Sequence, residues 1–357
     1  MVEGTDGNLY GTTYWGGDIG GGTVFKMIPG GTLTTLYSFV DSQNGGFPQA
    51  PLIQATDGNF YGTASQGGVY GAGDGGTVFK ITPDGTETTL HSFDYIDGNL
   101  PAAGLIQASD GNFYGTVPFG GNDCIFDCGG TVFKITSDGG FTLLYSFSCS
   151  QTGCPDGGIP SAGLVQGSDG NLYGTTGTGG TSTNCCGTVF KIAPDGTLTT
   201  LHSFDGTDGA GPGQLVQATD GNFYGTTDST VFEITPAGAV TTLHYFDGTD
   251  GAPVGLIQAT DGNFYGTTGG TVFRLGLGLP PLVNALPTSG PAGTPVIILG
   301  NNLTSTTSVT FNGTAAAFTV VSDTAINTTV PSGATTGQLQ VTTPSGTLSS
   351  NVDFQVR

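Results

Sequence analysis

The sequence predicts an all-β protein: a six-bladed β-propeller over residues 1–279, followed by a small immunoglobulin-like β-sandwich over residues 280–357. Three observations predict it. The phrase QATDGNFYGTT (217–227) returns in near-copies around Asp6, Asp57, Asp110, Asp169, Asp220 and Asp261, at spacings of 41 to 59 residues. A second phrase, of the type GTVFKITPDGTETTLHSF (76–93), follows each copy and is cut short to GTVFRLGLG (270–278) in the sixth. Repeats of this length imply stacked supersecondary units. The period then stops at GLGLPPLV, and short alternating apolar runs take over.

Within each unit, strand a (GLIQAT) turns through DGN into strand b (FYGTT), and strand c (TVFKIT) turns through PDG into strand d (TLTTLYSF). Asp-Gly and Asn-Gly favour the positive-φ turns that match hairpin twist. Only Asp228-Ser229 separates b from c in unit 5, and only Gly269-Gly270 in unit 6, so b and c are hairpin neighbours as well. The four strands therefore form one antiparallel meander. Val24 and Phe25 point to opposite faces of strand c, and Phe60 and Tyr61 to opposite faces of strand b, so both faces of each sheet need cover. Radially stacked four-stranded blades give that cover; a β-solenoid is the alternative, with repeats that are usually shorter. In the tail, TPVIILG, SVTFNG, AAFTVV, GQLQVTT and NVDFQV, separated by Gly, Pro and Asn, predict the sandwich. Strand d of unit 6 is absent or improvised from LGLPPLV, which leaves an open outer edge.

The two phrases, recurring in order, resemble the Gloeobacter–Verrucomicrobium type tandem repeat of bacterial surface proteins over roughly residues 1–279. The tail is similar to IPT/TIG domains through PTSGPAGTPVIILGNNL and VTFNGTAAAF. The resemblance implies exposure at a cell surface, often ahead of a variable envelope anchor, and no established enzymatic activity.

Composition narrows the function classes. The formal net charge of −21 reflects only six Lys and Arg against 27 Asp and Glu. A phosphate-backbone groove needs clustered cations, so nucleic acid is excluded as a partner and anionic membrane surfaces are disfavoured. No stretch is long and apolar enough to span a bilayer, and no signal peptide opens the chain. MVEGTDGNLYGTT aligns with LIQATDGNFYGTA, which places Met1 in the slot of Leu52 inside a repeat strand. The expectation is a mature or trimmed chain whose targeting sequence is already gone.

Most polar residues recur once per unit and so read as architecture. Lys26, Lys80, Lys134, Lys191 and Arg274 share one slot of strand c, filled by Glu233 in unit 5, and suit stems paired with nearby carboxylates. His91, His202 and His244 share a strand-d slot with Tyr37 and Tyr145, which asks for a planar, partly polar ring. The DGN aspartates, with Asp84 and Asp195 of the PDG turns, line one face and could draw Ca²⁺; DGTDG at 205–209 and 247–251 is the best local candidate. Turn chemistry alone already accounts for these residues, and neither a metal site nor a cofactor is assigned.

Three features do not repeat. Cys124, Cys128, Cys149, Cys154, Cys185 and Cys186 form three close pairs in Gly-rich loops opposite the DGN turns, which points to local disulfides in an oxidising compartment; a zinc site is the alternative. The b–c loops of units 1–4 are long and carry Trp15, Tyr70, Phe119 and Phe126, suited to glycans or protein partners or, equally, to capping blade edges. Sequons at Asn302, Asn312 and Asn327 mark candidate glycosylation positions in the sandwich. The non-repeating acids Glu3, Asp18, Asp74, Asp123 and Asp127 form no recognisable catalytic pair.

The functional expectation is a non-enzymatic, extracellular or cell-surface structural protein. It self-associates into a filament or surface layer, head to tail, through β-strand pairing between subunits. The alternative is a glycan- or protein-binding adhesin that uses the aromatic loops.

Overall fold

A computed structural model of the chain describes residues 1–40, 44–69, 75–121, 129–149, 153–181, 186–247 and 249–356. The repeat folds as a meander. In blade 1, β1 (Val2–Glu3), β2 (Leu9–Thr13), β3 (Thr23–Met27) and β4 (Leu33–Ser38) pair antiparallel in chain order. Blades 2 to 5 repeat that order, and blade 6 has three strands, Pro253–Gln258, Phe264–Thr268 and Val272–Leu275. Residues 276–283 form no strand, so LGLPPLV adds no fourth strand to blade 6, although its Leu277 and Leu279 pack against the junction between blades 5 and 6.

Strand a is shorter than the sequence suggests. It spans two residues in blades 1 to 5, such as Ile53–Gln54, and six only in blade 6. The reason lies in the neighbouring blade. The hydroxyls of Thr12, Thr63, Thr116 and Thr175, from the Tyr-Gly-Thr of strand b, donate to the carbonyls of Ala50, Ala103, Ala162 and Gly213, just ahead of strand a in the next blade. Those carbonyls serve the neighbour instead of extending their own ladder.

Burial alternates across each sheet so that every blade joins the next. Tyr10, Val24 and Phe39 of blade 1 pack with Leu52, Phe60, Phe79 and Ile81 of blade 2, and equivalent clusters join 2 to 3, 3 to 4, 4 to 5 and 5 to 6. Tyr61 stacks on Phe113 at 4.0 Å between ring centroids, as Tyr10 does on Phe60. The glycine of Tyr-Gly-Thr makes room for the strand-c phenylalanine, since a Cβ at Gly115 would lie 2.6 Å from the Phe133 ring. Each c–d pair carries one bulge, between Val78 and Phe79 in blade 2. A fully buried Tyr or Phe contributes on the order of 2–3 kcal/mol, so these five junctions form the propeller core.

The sandwich packs one sheet, whose strands are Asn284–Leu286, Pro295–Leu299, Ala325–Thr329 and Phe318–Ser322, against a second. The second holds Thr314–Ala316, Ser308–Phe311, Leu339–Thr343 and Gly346–Ser349. Val296, Ile298, Val309, Phe311, Ile326 and Val341 fill the space between them. It meets the propeller through Asn301, which donates to the Thr260 hydroxyl at 3.0 Å, and Asn351, which donates to the Gln217 carbonyl at 3.4 Å.

Candidate functional site

The DGN aspartates are spent inside their own blades. Asp57 Oδ1 accepts the backbone N–H of Asn59, while Oδ2 accepts the Asn59 side-chain amide and, at 2.7 Å, the Tyr61 hydroxyl. All six blades repeat this latch, and in blades 1 and 3 Lys26 and Lys134 join it at 2.9 and 3.1 Å. Burial would raise the Asp110 carboxyl, but bonds from Asn112, Tyr114 and Lys134 outweigh it and hold the group down at about 2. Burial pushes Tyr61 well above the ordinary phenol value, and its bond to the Asp57 carboxylate adds to the rise. Lys80 departs from the pairing expected for its slot and donates to the Ser137 carbonyl of the next blade. Glu233 accepts from Asn222 at 2.7 Å.

The strand-d rings do more than pack. His91 stacks on Phe141 at 3.7 Å and pairs with Asp97 at 2.7 Å, His202 pairs with Asp208 at 2.6 Å, and Tyr145 donates to Asp156 at 2.6 Å. Each bond ties strand d to the connection that follows it. In DGTDG, Asp205 Oδ1 accepts both the N–H and the hydroxyl of Thr207, and Asp208 is held by His202 and by the Asp205 N–H. Among the described residues, no cluster of three His, Cys, Asp or Glu stands ready to hold a metal.

Of the aromatic loop residues, Trp15 is 68% exposed and packs edge-on to Tyr14 and Phe47 at 4.9 and 5.0 Å. Phe47 holds φ 56, a strained backbone for a bulky residue. Phe119 is exposed and bridges Asn99, on a different blade connection from Trp15, so the structure does not merge the two into one patch. Tyr70 and Phe126 lie outside the described residues, as do Cys124, Cys128 and Cys185. Cys149 and Cys154 form a disulfide, and Cys186 is disulfide-bonded as well. In the sandwich, Asn302, Asn312 and Asn327 are all exposed, although the Asn312 amide donates to Thr335 and to the Thr336 carbonyl.

A recurring glutamine escaped the sequence analysis. The Gln54 side chain at the end of strand a accepts the Thr5 N–H of the preceding blade at 2.8 Å and donates to the Gly58 carbonyl of its own turn. Gln107, Gln166, Gln217 and Gln258 receive the same N–H from Thr56, Ser109, Ser168 and Thr219. The signal was the recurrence itself, broken only by Glu3 in unit 1. Several of these glutamines line a cleft of 550 Å³ between the inner strands of blades 2 to 5 and the sandwich, where Asp353 is the one ionisable group among the described lining residues.

The last blade leaves two surfaces uncovered. No strand pairs with the outer edge of Val272–Leu275 among the described residues. Val272 itself is 74% exposed, whereas Val24, Val78, Val132, Val189 and Val231 in the same slot are at most 1% exposed.

No curated protein matches the chain. Among solved structures, a virginiamycin B lyase from Staphylococcus aureus is 14% identical, with a TM-score of 0.44 over 86% of this chain and 94% of its own. PorZ, described as a surface component of the type-IX secretion system of Porphyromonas gingivalis, is 14% identical with a TM-score of 0.49, over 98% of this chain and 50% of that one. A gluconolactonase from Xanthomonas campestris is 16% identical with a TM-score of 0.42, over 72% of this chain and 79% of its own. The Gloeobacter/Verrucomicrobia repeat model matches residues 1–159 and 127–276, and the IPT/TIG domain model matches residues 280–356. The chain therefore belongs to the Gloeobacter/Verrucomicrobia repeat family and carries a C-terminal IPT/TIG domain.

Proposed function

We propose that the protein is a non-enzymatic, extracellular structural subunit that assembles head to tail into a filament or surface layer, with a strand from one copy pairing to blade 6 of the next. The three-stranded sixth blade carries this reading. Its outer strand, Val272–Leu275, offers a row of unpaired backbone groups that a donor strand would complete by β-augmentation. The chemistry elsewhere agrees. The repeated carboxylates are committed to latches within blades, and among the described residues lining the inter-domain cleft no second acid stands beside Asp353 for paired-carboxylate chemistry. The Cys149–Cys154 disulfide fits an oxidising compartment outside the cell.

Electron microscopy of the purified chain tests the proposal, with Arg274→Pro as the comparison, since the Arg274 N–H faces the open edge whereas that of Phe273 faces Gly266 within the hairpin. Proline in the edge strand removes a donor and blocks pairing. Regular fibres or sheets that disappear in the variant are the expected result, and isolated particles at every concentration overturn it. A second reading rests on Trp15, whose indole stands exposed and edge-on to Tyr14 and Phe47 and offers a single flat face of the kind that sugar rings stack on. Binding to polysaccharide arrays that is lost in Trp15→Ala would favour an adhesin.

A further inference from the structure

Five sheet-to-sheet junctions join the six blades, and both halves of a sixth stand unused at the ends of the array. The forward face of each blade presents a tyrosine and a valine, and the rear face of the next receives them with a leucine from strand a and a phenylalanine or leucine from strand b. Tyr61 and Val78, for example, meet Leu105 and Phe113. In blade 6 the forward face holds Val254, Ile257, Tyr265 and Val272, with Val254 71% and Ile257 63% exposed. In blade 1 the rear face holds Met1, Leu9 and Met27. Met1 is 72% exposed, whereas Leu52, Leu105, Leu164, Leu215 and Leu256 in its slot are 2–7% exposed. Leu9 is half-buried, whereas Phe60, Phe113, Leu172, Phe223 and Phe264 are fully buried.

The polar groups at these two ends are complementary too. At the inner junctions the N–H after strand a of one blade is accepted by a glutamine of the next, and at the junctions that follow blades 1, 2, 3 and 5 that glutamine also donates to the hydroxyl beside the N–H. At blade 6 the hydroxyl of Thr260 already receives the amide of Asn301 from the sandwich. What that corner still needs is an acceptor for the Thr260 N–H and no donor. Blade 1 carries Glu3, a carboxylate, in the glutamine slot, and a carboxylate accepts without donating.

We propose that the forward face of blade 6 in one copy stacks on the rear face of blade 1 in a second copy, reproducing the contact that joins consecutive blades within the chain. This deepens the self-association reading and rests on it. The partner is a second copy because the rear face that fits is this chain's own, and because in the single chain both faces are fully formed and remain apart. The contact is heterologous, so it propagates into an open assembly unless the rotation it repeats closes a ring. It is separate from pairing at the Val272–Leu275 edge, since it uses the sheet face and not the backbone edge.

Two charge insertions test it. Leu9→Lys spoils only the rear face of blade 1, and Ile257→Lys only the forward face of blade 6. Each is expected to weaken self-association about 100-fold or more, as an unpaired charge buried at a contact does. Mixed one to one, the two variants are expected to form discrete dimers by light scattering, because one intact face of each kind remains. A second measurement locates the contact: Leu9→Cys and Tyr265→Cys in one chain, joined by a short bismaleimide. Cross-linked ladders of several chains support the proposal, and a cross-link confined to one chain overturns it by showing that the blades close on themselves. Assemblies that persist in both lysine variants overturn the face contact while leaving edge-paired assembly standing; a wild-type chain that never associates overturns both.

Discussion

Replacing Tyr61 by Phe removes one hydroxyl and leaves the ring stacked on Phe113. The lost bond is the 2.7 Å donation to Asp57 Oδ2, made from a side chain with no exposed surface. A hydrogen bond to a charged group contributes about 1.5–3 kcal/mol net. Asp57 keeps both bonds from Asn59, so its carboxylate is not orphaned and the loss falls at about 1–2 kcal/mol. The repeat supplies its own control. Tyr265 makes the same bond to Asp261 at 2.9 Å, at a position where water can replace it, so Tyr265→Phe should cost below about 0.5 kcal/mol. Urea unfolding followed by far-ultraviolet circular dichroism and by the fluorescence of Trp15, the single tryptophan, checks both, provided the two transitions coincide. With a slope of about 3 kcal/mol/M, Tyr61→Phe lowers the midpoint by about 0.5 M and Tyr265→Phe barely moves it. Equal shifts would refute the claim that burial of the latch sets its strength.

Gly115→Ala forces a methyl against the Phe133 ring and should destabilise by about 1–3 kcal/mol, read by the same unfolding assay. Stability should fall at both pH extremes. The carboxyls of Asp6, Asp57, Asp110, Asp169 and Asp261 lie below their ordinary value, so their contribution is complete above about pH 4 and is lost as pH drops toward the folded value, about 2 for Asp110. The tyrosines are raised, Tyr37 to about 12 by burial and the Glu87 charge, so their contribution holds below about pH 10 and is lost above it. Thermal midpoints across pH 2–12 should therefore show a plateau with two falling limbs, and a single optimum near pH 4 would contradict the assignment. Chelation with EDTA, or addition of millimolar Ca²⁺, should leave the midpoint within about 2 °C, because the DGTDG carboxylates already accept internal bonds.

The blades were legible because turn chemistry and strand pattern agree in every unit. DGN demands a turn whatever surrounds it, and Val24 against Phe25 demands cover on both faces. The same uniformity hid the latch. One aspartate oxygen does the work of the turn, and nothing in the sequence shows that the other reaches Tyr61 four residues on. Gln54 was hidden differently, since its partner Thr5 lies 49 residues away and is brought near only by stacking. The short strand a has the same origin, a carbonyl claimed by a threonine of another blade. The missing strand d was visible as a truncated phrase, whereas the uncovered faces of blades 1 and 6 depend on how the ends of the array sit in space.

Repetition makes each blade a complete solution to its own turns and an incomplete solution to its faces. A blade satisfies its aspartate, its tyrosine hydroxyl and its hairpin carbonyls internally, but its forward tyrosine and its threonine hydroxyl are satisfied only by the next blade, and its strand-a approach only by the blade before it. Unspent groups must therefore collect where the array stops, whatever the length of the array. The sandwich supplies part of what blade 6 lacks, through Asn301 on Thr260, and stops at that corner. What it leaves bare, the Val272–Leu275 edge and the face carrying Ile257 and Tyr265, is the surface a neighbour of the same repeat would fit, so the proposed association would share one physical cause with the repeat.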